Sequence, residues 1–211
     1  MSDIRLDIDT MKSVLQSVAA DLKSHSEELR QLDARVGDGD LGVTIELASQ
    51  AMAEYLASSD ETDIGKLLAQ CGMNINKVSP STFGTILASA FMGGGKAVVD
   101  KRTIGVNELV LIGEGAIENI KKRGKAEAGD KTLLDALIPA VETLKNTAGS
   151  NDQQSLDSAV KSAEEGMKAT MNMKAKFGRA QWFKERSIGV QDGGATAIYY
   201  MIKSFAEHIP E

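Results

Sequence analysis

Apolar positions in this chain return at intervals of three, four and seven. In "DIDTMKSVLQSVAADLKSHSEELRQL" the residues Met11, Val14, Leu15, Val18, Leu22 and Leu29 fall on one stripe of a helix. The strict apolar–polar alternation of a half-buried strand is hard to find anywhere in the 211 residues. Turn signals divide the pattern into eight helical segments, near 8–31, 43–57, 62–76, 81–99, 106–123, 131–146, 154–175 and 194–208. Only three prolines occur, and the Ala, Leu, Lys and Glu content suits helices. Short connections make consecutive helices antiparallel, so the expectation is an all-α, up-and-down assembly forming one domain over 1–211.

That topology sorts the loops. Alternate connections of an up-and-down chain lie at the same end. The odd ones, 32–42, 77–80, 124–130 and 176–193, carry "LDARVGDGDLG", "KVSP", "GKAEAGD" and "GRAQWFKERSIGVQDGG". The even ones, near "SSDET", "DKRT" and "AGSNDQQ", read as ordinary solvated turns. All the glycine-rich acidic and basic stretches therefore collect at one rim, where a site is expected.

At that rim, Asp33, Asp38 and Asp40 lie among Gly37, Gly39 and Gly42. Such a stretch is either a solvated acidic turn in which Asp40 caps the next helix, or a set of oxygen ligands for a cation. An EF-hand is excluded. Counting from Asp38, the positions that need Gly and Glu hold Val43 and Ser49, and counting from Asp33 the last position is Thr44. Carboxylates followed by a helix N-terminus suit Mg²⁺ shared with a phosphate, and Thr44 adds a hydroxyl. Arg179, Lys184 and Arg186 offer further phosphate donors, Arg179 through its planar fork. Asp192, Gly193 and Gly194 can cap the last helix while letting a ligand approach the backbone. "GGGK", at 93–96, is not a P-loop, because Ala90 and Ala97 stand where Gly and Ser or Thr are required; a flexible helix end is expected. His25 and His208 read as solvated surface residues, and no Ser–His–Asp or Cys–His set can be assembled. The chain looks able to hold a metal–nucleotide but offers no nucleophile or base.

Composition narrows the setting. A net charge of −6 argues against a nucleic-acid binder with a broad basic face. Cys71 is alone, which excludes an intramolecular disulfide and a Cys-based zinc site. The N-terminus lacks a signal-peptide pattern, and no apolar run reaches the roughly 18–20 residues that span a bilayer. A reduced, cytoplasmic protein without a membrane segment is expected.

The stretches "DARVGDGDLG", "RGKAEAGDKTLLD" and "GRAQWFKERSIGVQDGGATA", in this order and spacing, resemble the L subunit of dihydroxyacetone kinase. The similarity runs from Leu32 through the last helix. It implies an eight-helix antiparallel barrel with a nucleotide site at one rim, and two Mg²⁺ ions on Asp33, Asp38 and Asp40 bridging the phosphates of ADP or ATP. Leu41, Gly42, Val43 and Thr44 match the phosphate-binding turn, and Val78 and Ser79 match positions near the phosphates. Gly124 and Leu133 fall where the family lines the adenine pocket. Arg179 matches a nucleotide-contacting arginine, and Asp192, Gly193 and Gly194 match the closing loop. Two departures stand near the phosphates: Leu41 replaces a His found in many members, and "NINKVSPSTFGT" is shorter than the glycine-rich form. Both point to a different acceptor or partner, such as another short ketose.

The resemblance also implies partners. A K subunit holds the hydroxyketone covalently on a histidine, and a phosphohistidine M subunit of the phosphotransferase system rephosphorylates the bound ADP. The alternatives are an ATP-dependent kinase subunit that exchanges nucleotide with solution, and an Mg-ADP-dependent module that binds a transcription regulator.

Overall fold

Each apolar stripe becomes a helix whose buried side faces a common interior. The computed structural model describes residues 4–149 and 151–210, so Ser150 of the turn "AGSNDQQ" lies outside the described residues. The α-helices are α1 Ile8–Ser24, α2 Ser26–Ala34, α3 Leu41–Ser58, α4 Ile64–Val78, α5 Thr82–Ala97, α6 Val106–Gly124, α7 Leu134–Thr147, α8 Asp152–Ala169 and α9 Gly193–His208. Two-residue strands β1 (Leu6–Asp7) and β2 (Thr103–Ile104) pair antiparallel, with Leu6 opposite Ile104. Along the chain α3 packs on α4, α4 on α5, and so on to α9, which returns to pack on α1. The ring closes. Its interior is apolar, built around Met11, Leu15, Ile64 and Leu67, and borders a partly open cavity of about 220 Å³. Among the described residues no helix is long and apolar enough to cross a membrane.

Three expectations need correction. The helix expected over 8–31 breaks at His25 (φ −89°, ψ 3°), giving α1 and α2. The break lets α2 lie against the first turn of α3, an approach so close that a Cβ on Gly42 would stand 2.5 Å from the Ser26 carbonyl oxygen. The helix expected over 154–175 ends at Ala169 and passes through a 3₁₀ turn, Thr170–Asn172. The "GGGK" run is no flexible end. Gly93, Gly94 and Gly95 are buried within α5, and a Cβ on any of them would run into backbone or side chains of α4 or α6. Bare backbone there allows three helices to pack at close range.

The two ends of the barrel differ. At one end β1 and β2, the 59–63 turn and the 98–105 turn are stitched together, with Ile64 N–H donating to the Lys101 carbonyl and Asp100 N–H to the Asp63 carboxylate. The odd connections meet at the other end.

Candidate functional site

The rim is assembled from the ends of α2, α4 and α6 and the starts of α3, α5, α7 and α9. Gly39 supplies the positive φ (76°) that turns the chain between Asp38 and Asp40. The Asp33, Asp38 and Asp40 carboxylates then offer oxygens that all lie within 4.8 Å of one another. Asp40 stands at the N-cap position of α3, yet its side chain makes no cap bond. Capping therefore does not explain this carboxylate, and the first N–H groups of α3, which lack intrahelical partners, are left for something else.

Charge and unmet bonding mark the same place. Burial and the nearby Asp33 raise the Asp40 pKa above the usual carboxylate value. Arg179 forms ion pairs with Asp38 and, at 3.8 Å, with Asp40. One guanidinium against three carboxylates leaves an excess of negative charge. Among the described residues three buried side-chain oxygens lack any hydrogen-bond partner: Asp33 Oδ2, Ser49 Oγ and Ser79 Oγ. Two of the three belong to the residues expected at the site. An orphaned buried oxygen costs about 1–3 kcal/mol, so its persistence at a rim fits a donor or cation that arrives with a ligand.

The remaining expected residues have their own local partners. Thr44 Oγ1 donates to Ser81 Oγ at 2.9 Å, and Ser81 in turn caps α5 by accepting from Gly84 N–H. Ser79 ends α4 and packs against Gly84 so tightly that no Cβ fits there. Val43 and Val78 are exposed, whereas Leu41 is buried in a core cluster with Leu22, Leu29 and Ile45. Leu41 thus reaches the rim only through its backbone. A Cβ on Gly193 would stand 2.6 Å from Leu41 Cδ2, and one on Gly194 would stand 3.5 Å from Leu133 Cβ. The last loop is thereby seated on both α3 and the start of α7. Gly124, partly buried at the end of α6, faces Ile86 of α5.

A scan against family models matches the DAK2 domain over residues 35–207. The chain belongs to the DAK2-domain family. Its relatives include the ADP-binding subunit DhaL of a PEP-dependent dihydroxyacetone kinase from Escherichia coli, 32% identical over 87% of this chain and 88% of that protein. A second such subunit, from Listeria innocua, is 30% identical over 99% of this chain and 98% of its own length. Among solved structures, the dihydroxyacetone kinase of C. freundii in complex with AMP-PNP and Mg²⁺ superposes with a TM-score of 0.75 at 24% identity. That comparison covers 98% of this chain but only 35% of the solved one, so the chain spans about a third of that enzyme. The resemblance to dihydroxyacetone kinase L subunits read from the three sequence stretches is thereby established, and with it the all-α fold.

Within this DAK2 domain, Asp192 behaves unlike a simple surface cap. It accepts from Ala195 N–H at 2.7 Å and so starts α9. Burial pushes its pKa from 3.8 up to about 6, against the opposing Ala195 hydrogen bond and the Lys131 charge. A carboxyl raised in the folded state contributes stability that is present at low pH and lost as pH rises through the folded value. Asp192→Asn keeps an oxygen for the cap. We therefore expect the variant to gain stability relative to the parent as pH rises from 3.8 to about 6, read by melting at stepped pH; parallel curves would contradict the burial of that charge.

Sequence reasoning missed Gly84 and Lys131. Gly84 gave no signal beyond a Ser-Thr cap. The helix expected over 131–146 includes Lys131, but this residue precedes α7 with a positive φ of 62°, and its side chain is only 2% exposed.

Proposed function

We propose that the chain is the ADP/ATP-binding subunit of a dihydroxyacetone kinase, a single nucleotide-binding domain over 1–211 that works in the cytoplasm. The observation that carries this reading is the convergence of three carboxylates with an unpartnered buried oxygen on Asp33, beside the uncapped N-terminus of α3. The residues present fit a hard divalent cation: an all-oxygen donor set, excess negative charge and an orphaned acceptor. Asp33, Asp38 and Asp40 would hold Mg²⁺, taken as two ions. When bound, Mg²⁺ supplies charge neutralisation for the phosphates of ADP or ATP.

The chain's own groups do the rest by positioning. N–H groups at Leu41 to Val43 would face phosphate oxygens as a helix N-terminus does, with the Thr44 hydroxyl, Ser79 Oγ and the Val78 backbone beside them. Gly124 and Leu133 line the base pocket, and Asp192, Gly193 and Gly194 close it. Arg179 exchanges its Asp38 and Asp40 partners for a phosphate oxygen. No residue at the rim is placed to hold a ketone or take a hydroxyl proton. The ketone comes on a K subunit docked over the rim, and a phosphohistidine M subunit restores ATP from bound ADP. The burial of Leu41 against Gly193, where many family members carry a polar His, favours a second reading: an ATP-dependent subunit for a related short ketose. An Mg-ADP-dependent contact with a transcription regulator is the non-catalytic alternative.

Product formation from purified components tests the proposal. The chain with ATP and dihydroxyacetone alone is expected to give no turnover. Adding K subunit and phosphorylated M subunit restores it at catalytic ADP; in the second reading, K subunit with stoichiometric ATP suffices. Robust turnover by the chain alone would overturn the division of labour.

A further inference from the structure

The segment between α8 and α9 carries Arg179 at an exposed position, and its apolar anchorage includes Phe177, partly buried against a core cluster with Leu133, Leu134 and Ile198. Ala175 and Ser187 are its buried residues between 173 and 190, while Trp182 is 78% exposed. Its Arg179 is laid on Asp38 and Asp40. Polar anchorage comes from below. Lys131, only 2% exposed, sends its ammonium into a cage of backbone carbonyls. Nζ donates to Thr170 at 2.7 Å and Met173 at 3.2 Å, and to Ser187 at 2.7 Å and Val190 at 2.5 Å. The first two acceptors are one foot of the segment and the last two are the other.

Neighbouring bonds brace the same feet. Asp130 takes Lys176 by its side chain at 2.7 Å and by backbone at 3.2 Å. Ser187 Oγ accepts from Ala175 N–H at 3.0 Å, and Thr170 Oγ1 accepts from Asp192 N–H at 3.0 Å. Burying an ammonium is costly unless it is fully hydrogen-bonded, and here all its acceptors are carbonyls of the one segment that bears Arg179.

We propose that Lys131 is the positioning residue of the nucleotide site: by bonding both feet of the 170–190 segment with one buried ammonium, it holds Arg179 over the Asp33–Asp38–Asp40 cluster. Lys131 lies two residues before Leu133, so the same side chain couples the base-lining loop to the phosphate-facing arginine. This rests on the nucleotide reading above, and it deepens that reading by assigning how the segment is held.

Lys131→Met tests it. Without any nucleotide, the variant keeps its helical circular dichroism and a cooperative melt. Trypsin then cuts at Lys174, Lys176, Arg179, Lys184 and Arg186 at least tenfold faster than in the parent, and the fluorescence anisotropy of Trp182, the chain's one tryptophan, falls. Affinity for Mg-ADP drops about tenfold. Arg179→Ala loses a similar factor, and the double variant is no worse than either single, because Lys131 acts through Arg179. Should the Met variant not fold, Lys131→Gln, whose shorter side chain keeps two donors, gives the same readings at a smaller factor; failure of both to fold would overturn the proposal by making Lys131 a residue of the core. Unchanged cleavage and anisotropy, or losses that add in the double variant, would overturn it as well. A parent protein that binds no Mg-ADP while Lys131→Met still frees the segment would instead refute the nucleotide reading.

Discussion

Asp33→Asn should weaken the binding of ADP in the presence of Mg²⁺ by tenfold or more, about 1.4 kcal/mol or above, while the ligand-free protein becomes no less stable. The two effects have opposite signs for one reason. Asp33 holds an orphaned Oδ2 and crowds Asp40, whose pKa is raised by burial and by Asp33 itself. A carboxyl with a raised folded pKa favours folding at low pH and loses that contribution as pH climbs, so near neutrality the crowded pair is a cost. Arg179 offsets only part of it. Replacing one carboxylate relieves the ligand-free protein but removes charge and a donor oxygen from the site, the trade expected where function rather than stability sets a residue. Isothermal titration of Asp33→Asn and Asp38→Ala with ADP and Mg²⁺ measures the loss, and thermal melting without ligand measures the relief. Unchanged affinity in both variants would sink the metal-bridged site.

The second large effect is stabilisation by the nucleotide itself. A ligand that binds only the folded chain adds roughly 4 kcal/mol at a thousand times its dissociation constant. For a chain of this length that corresponds to a rise of about 8–16 °C in Tm. The rise should appear with ADP plus Mg²⁺, collapse on adding EDTA, and be small for ADP alone, because unshielded phosphates meet three carboxylates. If EDTA left the ADP-bound Tm where it was, the carboxylates would not be holding the nucleotide through a metal. The same scan on Arg179→Ala should keep the EDTA dependence, since the arginine contributes through phosphate and not through the cation.

Much of this was readable before folding. The stripe Met11–Val14–Leu15–Val18–Leu22 predicts α1 because an amphipathic helix must bury one face whatever it packs on. The short connections placed Asp33, Ser79, Asp130 and Gly193 at one rim by alternation alone, and the structure shows these loops touching, as at Gly193 with Leu41 and Lys176 with Asp130. Local pattern carried both inferences, since neither depends on which partner lies across the barrel.

Other features were decided only in three dimensions. His25 carries no helix-breaking signal; the break there reflects the close approach of α2 to Gly42, on another helix. The "GGGK" run reads as flexible in isolation and is buried because Gly65 and Gly115 come from α4 and α6 to meet it. Asp40 looks like a cap by position, and only the geometry shows that it makes no cap bond. Lys131 is the sharpest case. A lysine at the start of the helix expected over 131–146 gives no sign of burial, and that burial depends on carbonyls 39 to 59 residues further along the chain. Helix periodicity is a property of neighbours in sequence, whereas the desolvation of a charge is set by everything that surrounds it, so the barrel was legible in the residues and the device that holds its rim in place was not.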